Sequence, residues 1–170
     1  MLNMPFTLQR ISEADLQLLA NDIVPDSLAR RLADGALPPP QVAQRALGYL
    51  RSGAAEPWCS VYHIVRESDG VVVGGCGFKH PPRQGEVEIG YGVSPECRNQ
   101  GAATAAVDAL CRLAFAHASV TTVMAHINPE NLPSTRVAQK LNFLRGEVIV
   151  DEDGELVAQW RLTKPATDPR

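Results

Sequence analysis

Residues 86–117 read EVEIGYGVSPECRNQGAATAAVDALCRLAFAH. The first eight alternate, with Val87, Ile89 and Tyr91 on one face and Glu86, Glu88 and Gly90 on the other, which predicts a strand with one buried side. Ser94-Pro95-Glu96 breaks it. From Gly101 to His117, Ala103, Val107, Leu110 and Ala114 fall on one side at helical spacing, and Asp108 stands four residues before Arg112, so a helix is predicted. A helix that opens on RNQGAAT has first-turn N–H groups without intrahelical partners, and its dipole favours an anion there. Gly101, Ala102 and Ala103 lack bulk, Arg98 adds a cation and Thr104 a hydroxyl. The ligand expected at this turn is a pyrophosphate. The segment is not a Walker A loop, because no Lys follows the glycine, and it lacks the G-x-G-x-x-G of a dinucleotide site.

Outward from this unit the chain alternates between strands and helices. Phe6–Ile11 is a first strand, and Ser12 N-caps a helix running to about Ala20. Val24–Ala36 is expected to be partly helical. Pro38-Pro39-Pro40 is a break, and a helix carrying Val42, Ala46, Leu47 and Leu50 on one face follows to near Gly53. Trp58–Arg66 and Val71–Phe78 form a hairpin across Ser68-Asp69-Gly70. Gly74, Gly75 and Gly77 weaken the second of these strands, or mark a close approach to its backbone. Val120–Ile127 is a strand, Ser134–Leu141 a short helix, and Gly146–Leu162 a hairpin around Asp151–Gly154. The order β-α-α-β-β-β-α-β-α-β-β predicts an α/β (α+β) domain over 1–164, a mixed, mostly antiparallel sheet with helices on both faces. Residues 165–170 read as a frayed tail.

Composition narrows the function classes. The chain has 170 residues and a formal charge of −3, so a whole-surface basic footprint for nucleic acid is absent. No apolar run reaches the length of a membrane span, and MLNMPFTLQRISEADLQLL lacks the pattern of a signal peptide. Four cysteines without C-x-x-C spacing read as reduced thiols of a cytoplasmic protein. No His or Cys stands at zinc-ligand spacing, so no metal site is expected.

Arg98-x-x-Gly101-x-Ala103 fits the [QR]-x-x-G-x-[GA] signature of the GCN5-related N-acetyltransferase (GNAT) superfamily. Together with EVEIGYGVSPECR and INPENLPSTRVAQKLNF, the chain resembles the branch that acetylates protein N-termini, typified by the ribosomal-protein alanine acetyltransferases. The resemblance implies acetyl-coenzyme A as cofactor, its pyrophosphate held by amides around Arg98, Asn99, Gln100, Gly101, Ala102, Ala103 and Thr104. It implies that the pantetheine arm lies along the end of the Glu86–Val93 strand, splayed from the Val120–Ile127 strand, and it assigns cofactor contacts to Asn131 and Ser134. Many relatives carry a tyrosine seven residues after the equivalent of Asn131, which protonates the leaving thiolate. Ala138 stands there in this chain.

Acetyl transfer to an amine needs a base, because an alkyl amine is mostly protonated near neutral pH. Glu88 is the candidate and Glu86 the reserve, each standing against an ordinary role on a solvated strand face. A backbone N–H near Val93 would polarise the carbonyl if the strand bulges there. Ser134 offers the thiolate a hydrogen bond, or is simply a residue of a helix's first turn. Asn131 contacts the cofactor, or simply N-caps the helix that follows. Among the histidines, His80 has the best placement for touching substrate. Cys97 lies near the helix start, where a thiol gains acidity, but nucleophilic catalysis is not expected of it. The acceptor is a small-molecule amine or a peptide N-terminus, and net acidity favours a cationic one. The protein is expected to act as a monomer or homodimer. The alternative to an enzyme is a non-catalytic module that binds or senses acyl-CoA.

Overall fold

The computed structural model describes residues 5–166. Seven strands and four α-helices follow one another as β1 (Phe6–Arg10), α1 (Glu13–Ala20), α2 (Pro40–Arg51), β2 (Val61–Arg66), β3 (Val72–Phe78), β4 (Glu86–Val93), α3 (Ala102–Phe115), β5 (Thr122–Ile127), α4 (Leu132–Lys140), β6 (Leu144–Val150) and β7 (Leu156–Thr163). The sheet order is β1-β2-β3-β4-β5-β7-β6, antiparallel throughout except for β4 beside β5. This is the mixed sheet that the element order predicts. The one parallel pair arises because α3 carries the chain back across the sheet between two strands that run the same way.

Two cores form on opposite faces. The larger packs Ile64, Val73, Val87, Ile89, Val123, Ala125 and Trp160 against Ala102, Ala106, Val107, Leu110 and Ala114 of α3. The smaller gathers Ile11, Leu16, Leu19, Ala43, Ala46, Leu47 and Val61 beneath α1 and α2. Ser12 caps α1 as expected, accepting the Asp15 N–H at 3.2 Å. Pro40 occupies the first turn of α2, where its missing N–H costs nothing.

Several expectations shift. Val24–Ala36 holds only a 3-10 turn at Asp26–Leu28. The rest is irregular chain that still buries Leu28 and pairs with β3, Val72 N–H donating to Arg31 O at 2.7 Å and Ala33 N–H to Val72 O at 3.0 Å. Partners outside any helix outweigh the weak helical pattern here. β2 begins at Val61 rather than Trp58, whose ring instead packs edge-on against Phe78 at 5.0 Å. The β3 glycines mark close approach: a Cβ on Gly74 would overlap the Gly92 carbonyl oxygen, and one on Gly77 would sit 2.9 Å from Ser60 O. Positions 167–170 of the expected tail lie outside the described residues. No helix among the described residues is long and apolar enough to cross a membrane.

Candidate active site

Gly101 opens α3 in the left-handed region, φ 86 and ψ 7, and no side chain caps the helix. The first intrahelical bond is Ala105 N–H to Gly101 O, 3.0 Å. The N–H groups of Ala102, Ala103 and Thr104 therefore point out of the helix end without helical acceptors. Asn99 also has positive φ, 62, so the turn from Arg98 bends sharply into the helix. A cleft of about 300 Å³ opens here, bordered by Val93, Arg98, Asn99, Gly101, Ala102, Ala103, Thr104, Asn131 and Ser134. Gln100 does not line it, because its Oε1 is turned back to accept from Arg66 Nη1 at 3.1 Å.

The far wall of this cleft is α4. Asn131 does cap that helix, accepting the Ser134 N–H at 3.2 Å, and it borders the cleft as well. Tyr91 donates its hydroxyl to Ser134 O at 3.3 Å, tying β4 to α4. Burial pushes the Tyr91 phenol up to about 12. Ala138 is buried in the core and does not line the cleft.

β4 and β5 pair only from Glu86↔Thr122 to Ile89↔Ala125. Beyond that point β4 stays with β3 while β5 stays with β7, so the sheet splits. The β3–β4 ladder runs without a bulge from Phe78↔Ile89 to Gly74↔Val93. The bulge that was a condition for the Val93 donor is therefore absent, and a register shift lies elsewhere, between Ile64 and Val65 in the β2–β3 pairing. Within this ladder Lys79 N–H donates to Glu88 O and Ser94 N–H to Val73 O. Alternation then gives the peptide groups of Gly90 and Gly92 to β3 and turns those of Tyr91 and Val93 toward the side β5 has left. The split frees the Val93 amide without any bulge.

A second cleft, of about 490 Å³, lies on the opposite face of the sheet. Glu86 and Glu88 form its floor with Met124 and His126 of β5, Arg45 and Tyr49 of α2 border one side, and Ile149–Asp153 of the β6–β7 hairpin border another. Glu88 is largely buried, its Oε2 lying 2.6 Å from Lys79 Nζ and 3.5 Å from His126 Nδ1. Gln159 Nε2 lies 3.3 Å from the other ring nitrogen of His126. Glu86 Oε1 pairs with Arg161 Nε at 3.3 Å. His80 borders this cleft and holds its Nδ1 2.7 Å from Pro81 O.

Four residues that sequence reasoning passed over join these clefts. Arg136 and Lys140 border the cleft at the start of α3 from the α4 side, and Lys79 and His126 flank Glu88. The first two carry a readable signal, a basic i,i+4 pair after Asn131, but only the packing of α4 beside α3 gives it meaning. The second pair depends on register, because Glu88 stands opposite Met124, beside His126. Cys97 is buried, with Arg66 Nη1 3.9 Å from its sulfur, and all four cysteines are free thiols.

A family model described as "Acetyltransferase (GNAT) domain" matches residues 6–144. The N-acetyltransferase p20 of Bacillus licheniformis, itself described as uncharacterized, is 33% identical over 89 residues, which are 52% of this chain and 49% of that protein. The chain thus spans about half the length of the curated relatives it matches. Among solved structures, a ribosomal-protein-S5-alanine acetyltransferase from Vibrio fischeri superposes with TM-score 0.67 at 15% identity, covering 97% of this chain and 98% of that one. A ribosomal L7/L12 alpha-N-protein acetyltransferase in complex with coenzyme A gives TM-score 0.67 at 16% identity, with 96% of each chain covered. The signature at Arg98–Ala103, the split sheet and these matches agree, and the chain belongs to the GNAT acetyltransferase family.

Proposed function

We propose that this chain is an N-acetyltransferase that passes the acetyl group of acetyl-CoA to a primary amine, on a protein N-terminus or a small molecule, by direct attack in a ternary complex. One observation carries the reading. β4 and β5 part after Ile89 and Ala125, and two clefts of different chemistry flank that parting from opposite faces. One offers uncapped helix amides and cations, the other a carboxylate among polar groups. A thioester arm threaded through the split would meet an amine arriving from the other side.

The cofactor cleft fits the anionic part of coenzyme A. The N–H groups of Ala102, Ala103 and Thr104 have no capping side chain, and Gly101 leaves open space above them. Arg98, which borders the cleft, binds the pyrophosphate in this reading, with Arg136 and Lys140 as further cations around it. Bound acetyl-CoA supplies the activated acetyl group as a thioester. Glu88 takes the proton from the acceptor amine, directly or through a water. The Val93 N–H donates to the carbonyl oxygen as negative charge develops on it. An alkyl thiol has a pKa of roughly 8.5, so its departure needs little help. The Ser134 hydroxyl is the available donor, given that Ala138 offers none. The four free thiols are in keeping with a reducing, cytoplasmic setting.

Ala138 also favours a second reading, a module that binds acyl-CoA without turnover. A crystal structure with coenzyme A, together with thiol release from acetyl-CoA across a panel of amines and peptide N-termini, separates the two. Coenzyme A against the α3 amides with amine-dependent release supports the enzyme. Bound cofactor with no release on any acceptor supports the module.

A further inference from the structure

The second cleft is lined by charges of both signs, paired on its floor and, among the described residues, unpaired toward its walls. Arg45 and Arg83 stand on the side built by α2 and the β3–β4 loop. Arg83 is held by Tyr49, whose hydroxyl oxygen accepts from its Nη2 at 3.2 Å, and by its own backbone, which exchanges hydrogen bonds with Glu86 at 2.9 and 3.0 Å. Among the described residues neither arginine has a carboxylate within ion-pair distance. The other cations near the floor are engaged, Lys79 with Glu88 and Arg161 with Glu86. Across the cleft the β6–β7 turn presents Glu152 and Asp153, both exposed. Asp151 is occupied with the turn itself, its Oδ1 accepting from the N–H groups of Asp153 and Glu155, 2.9 Å each.

Two guanidinium groups without protein carboxylates, one oriented by a tyrosine, form a ready acceptor for a carboxylate. We propose that Arg45 and Arg83 form a subsite for an anionic group on the acceptor, so that the substrate is an amine that also carries a carboxylate. The arginines take the carboxylate at one end, while Glu88 and the acidic turn draw the amine toward the split at the other. This proposal rests on the acetyl-transfer reading and refines it. It also departs from the expectation, drawn from net charge alone, that a cationic acceptor is favoured. The shared chemistry has two sources, a free ω-amino acid or a peptide N-terminus followed by an acidic residue.

The test uses the full chain saturated with coenzyme A for binding, and with acetyl-CoA for turnover. One arm compares ω-amino carboxylates of two to six carbons with n-alkylamines and α,ω-diamines of the same lengths. The other compares C-terminally amidated peptides that differ only in carrying Asp or Lys at the second or third position. The expected result is at least a tenfold preference for the carboxylate-bearing member in one arm, which also identifies the source. In Arg83→Gln and Arg45→Gln that preference shrinks severalfold, and in the double variant it falls toward one. Retained coenzyme A affinity shows that the variants are folded. Equal or tighter binding of diamines and Lys peptides overturns the proposal, as does a preference that survives in the double variant. Carboxylate-selective binding with no thiol release on any acceptor leaves the subsite standing and sinks the transfer reading instead.

Discussion

The ammonium of Lys79 lies 2.6 Å from Glu88 Oε2, and its stem passes close over Gly90. A Cβ on Gly90 would stand 3.3 Å from Lys79 Cε, so the lysine stem crosses the strand over that glycine. His126 Nδ1 approaches the same oxygen at 3.5 Å. The carboxylate is thus flanked by Lys79, one residue past β3, and by His126 of β5. Removing the lysine should let Glu88 swing, and small displacements of a reacting group are costly. Lys79→Met should therefore lower kcat about tenfold while the KM for acetyl-CoA stays the same. An unchanged kcat would show that the ion pair does not position the base.

Gly101 is needed for its backbone, since nothing stands within 4 Å of where a Cβ would be. At φ 86 an L-residue pays roughly 1–2 kcal/mol in strain, or it moves the helix start. Gly101→Ala should weaken coenzyme A binding about tenfold in calorimetry, with little change in the rest of the fold. Full affinity in this variant would argue against the α3 amides as the phosphate site.

Gly74 and Gly48 should respond in opposite directions to the same substitution. A methyl on Gly74 overlaps Gly92 O and crowds Val93 Cα, so it pushes on the strand at the split. Gly74→Ala should cost about 1–3 kcal/mol of stability, measured by urea unfolding, and also weaken cofactor binding through Val93. Gly48 lies inside α2 with open space around it. Gly48→Ala should stabilise by roughly 0.5–1 kcal/mol. Equal effects at the two positions would contradict the packing described for β3 and β4.

His63 makes stability depend on pH. It is buried opposite Gln9, and neither ring nitrogen has a hydrogen-bond partner. Burial first, and then the Arg31 charge, lower its pKa from 6.5 to about 4, with Asp15 opposing. The folded value lies below the unfolded one, so the unfolded chain takes up the proton first as pH falls. The contribution is complete above pH 6.5, declines by about 1.4 kcal/mol per pH unit, and is gone below about 4. In all it is on the order of 3 kcal/mol. Urea unfolding between pH 7 and 4.5 should show a slope that flattens by one proton in His63→Leu. Identical slopes in both proteins would show that His63 is not held neutral in the fold.

The element order was legible because periodicity changes sharply along this chain, from Val87-Ile89-Tyr91 to Ala103-Val107-Leu110-Ala114. The α3 side of the first cleft was legible for a related reason, since that wall lies close together in sequence at Arg98–Thr104. What stayed hidden depends on tertiary register. Nothing local to Lys79, His126 or Glu88 reveals that three strands bring them to one carboxylate. The parting of β4 from β5 beyond Ile89 and Ala125 is likewise a property of the pair, which neither strand's own sequence reveals. Asn131 caps α4 and also borders the cleft, two placements that its position in the sequence does not separate.

Thiol release from acetyl-CoA, followed with and without a primary amine in the native chain and in Glu88→Gln, tests the central claim most directly. The account predicts release that requires the amine and falls at least about 100-fold in kcat in the variant, with acetyl-CoA binding retained. Native protein that binds acetyl-CoA yet releases no thiol on any amine, or a Glu88→Gln variant with full turnover, would contradict it.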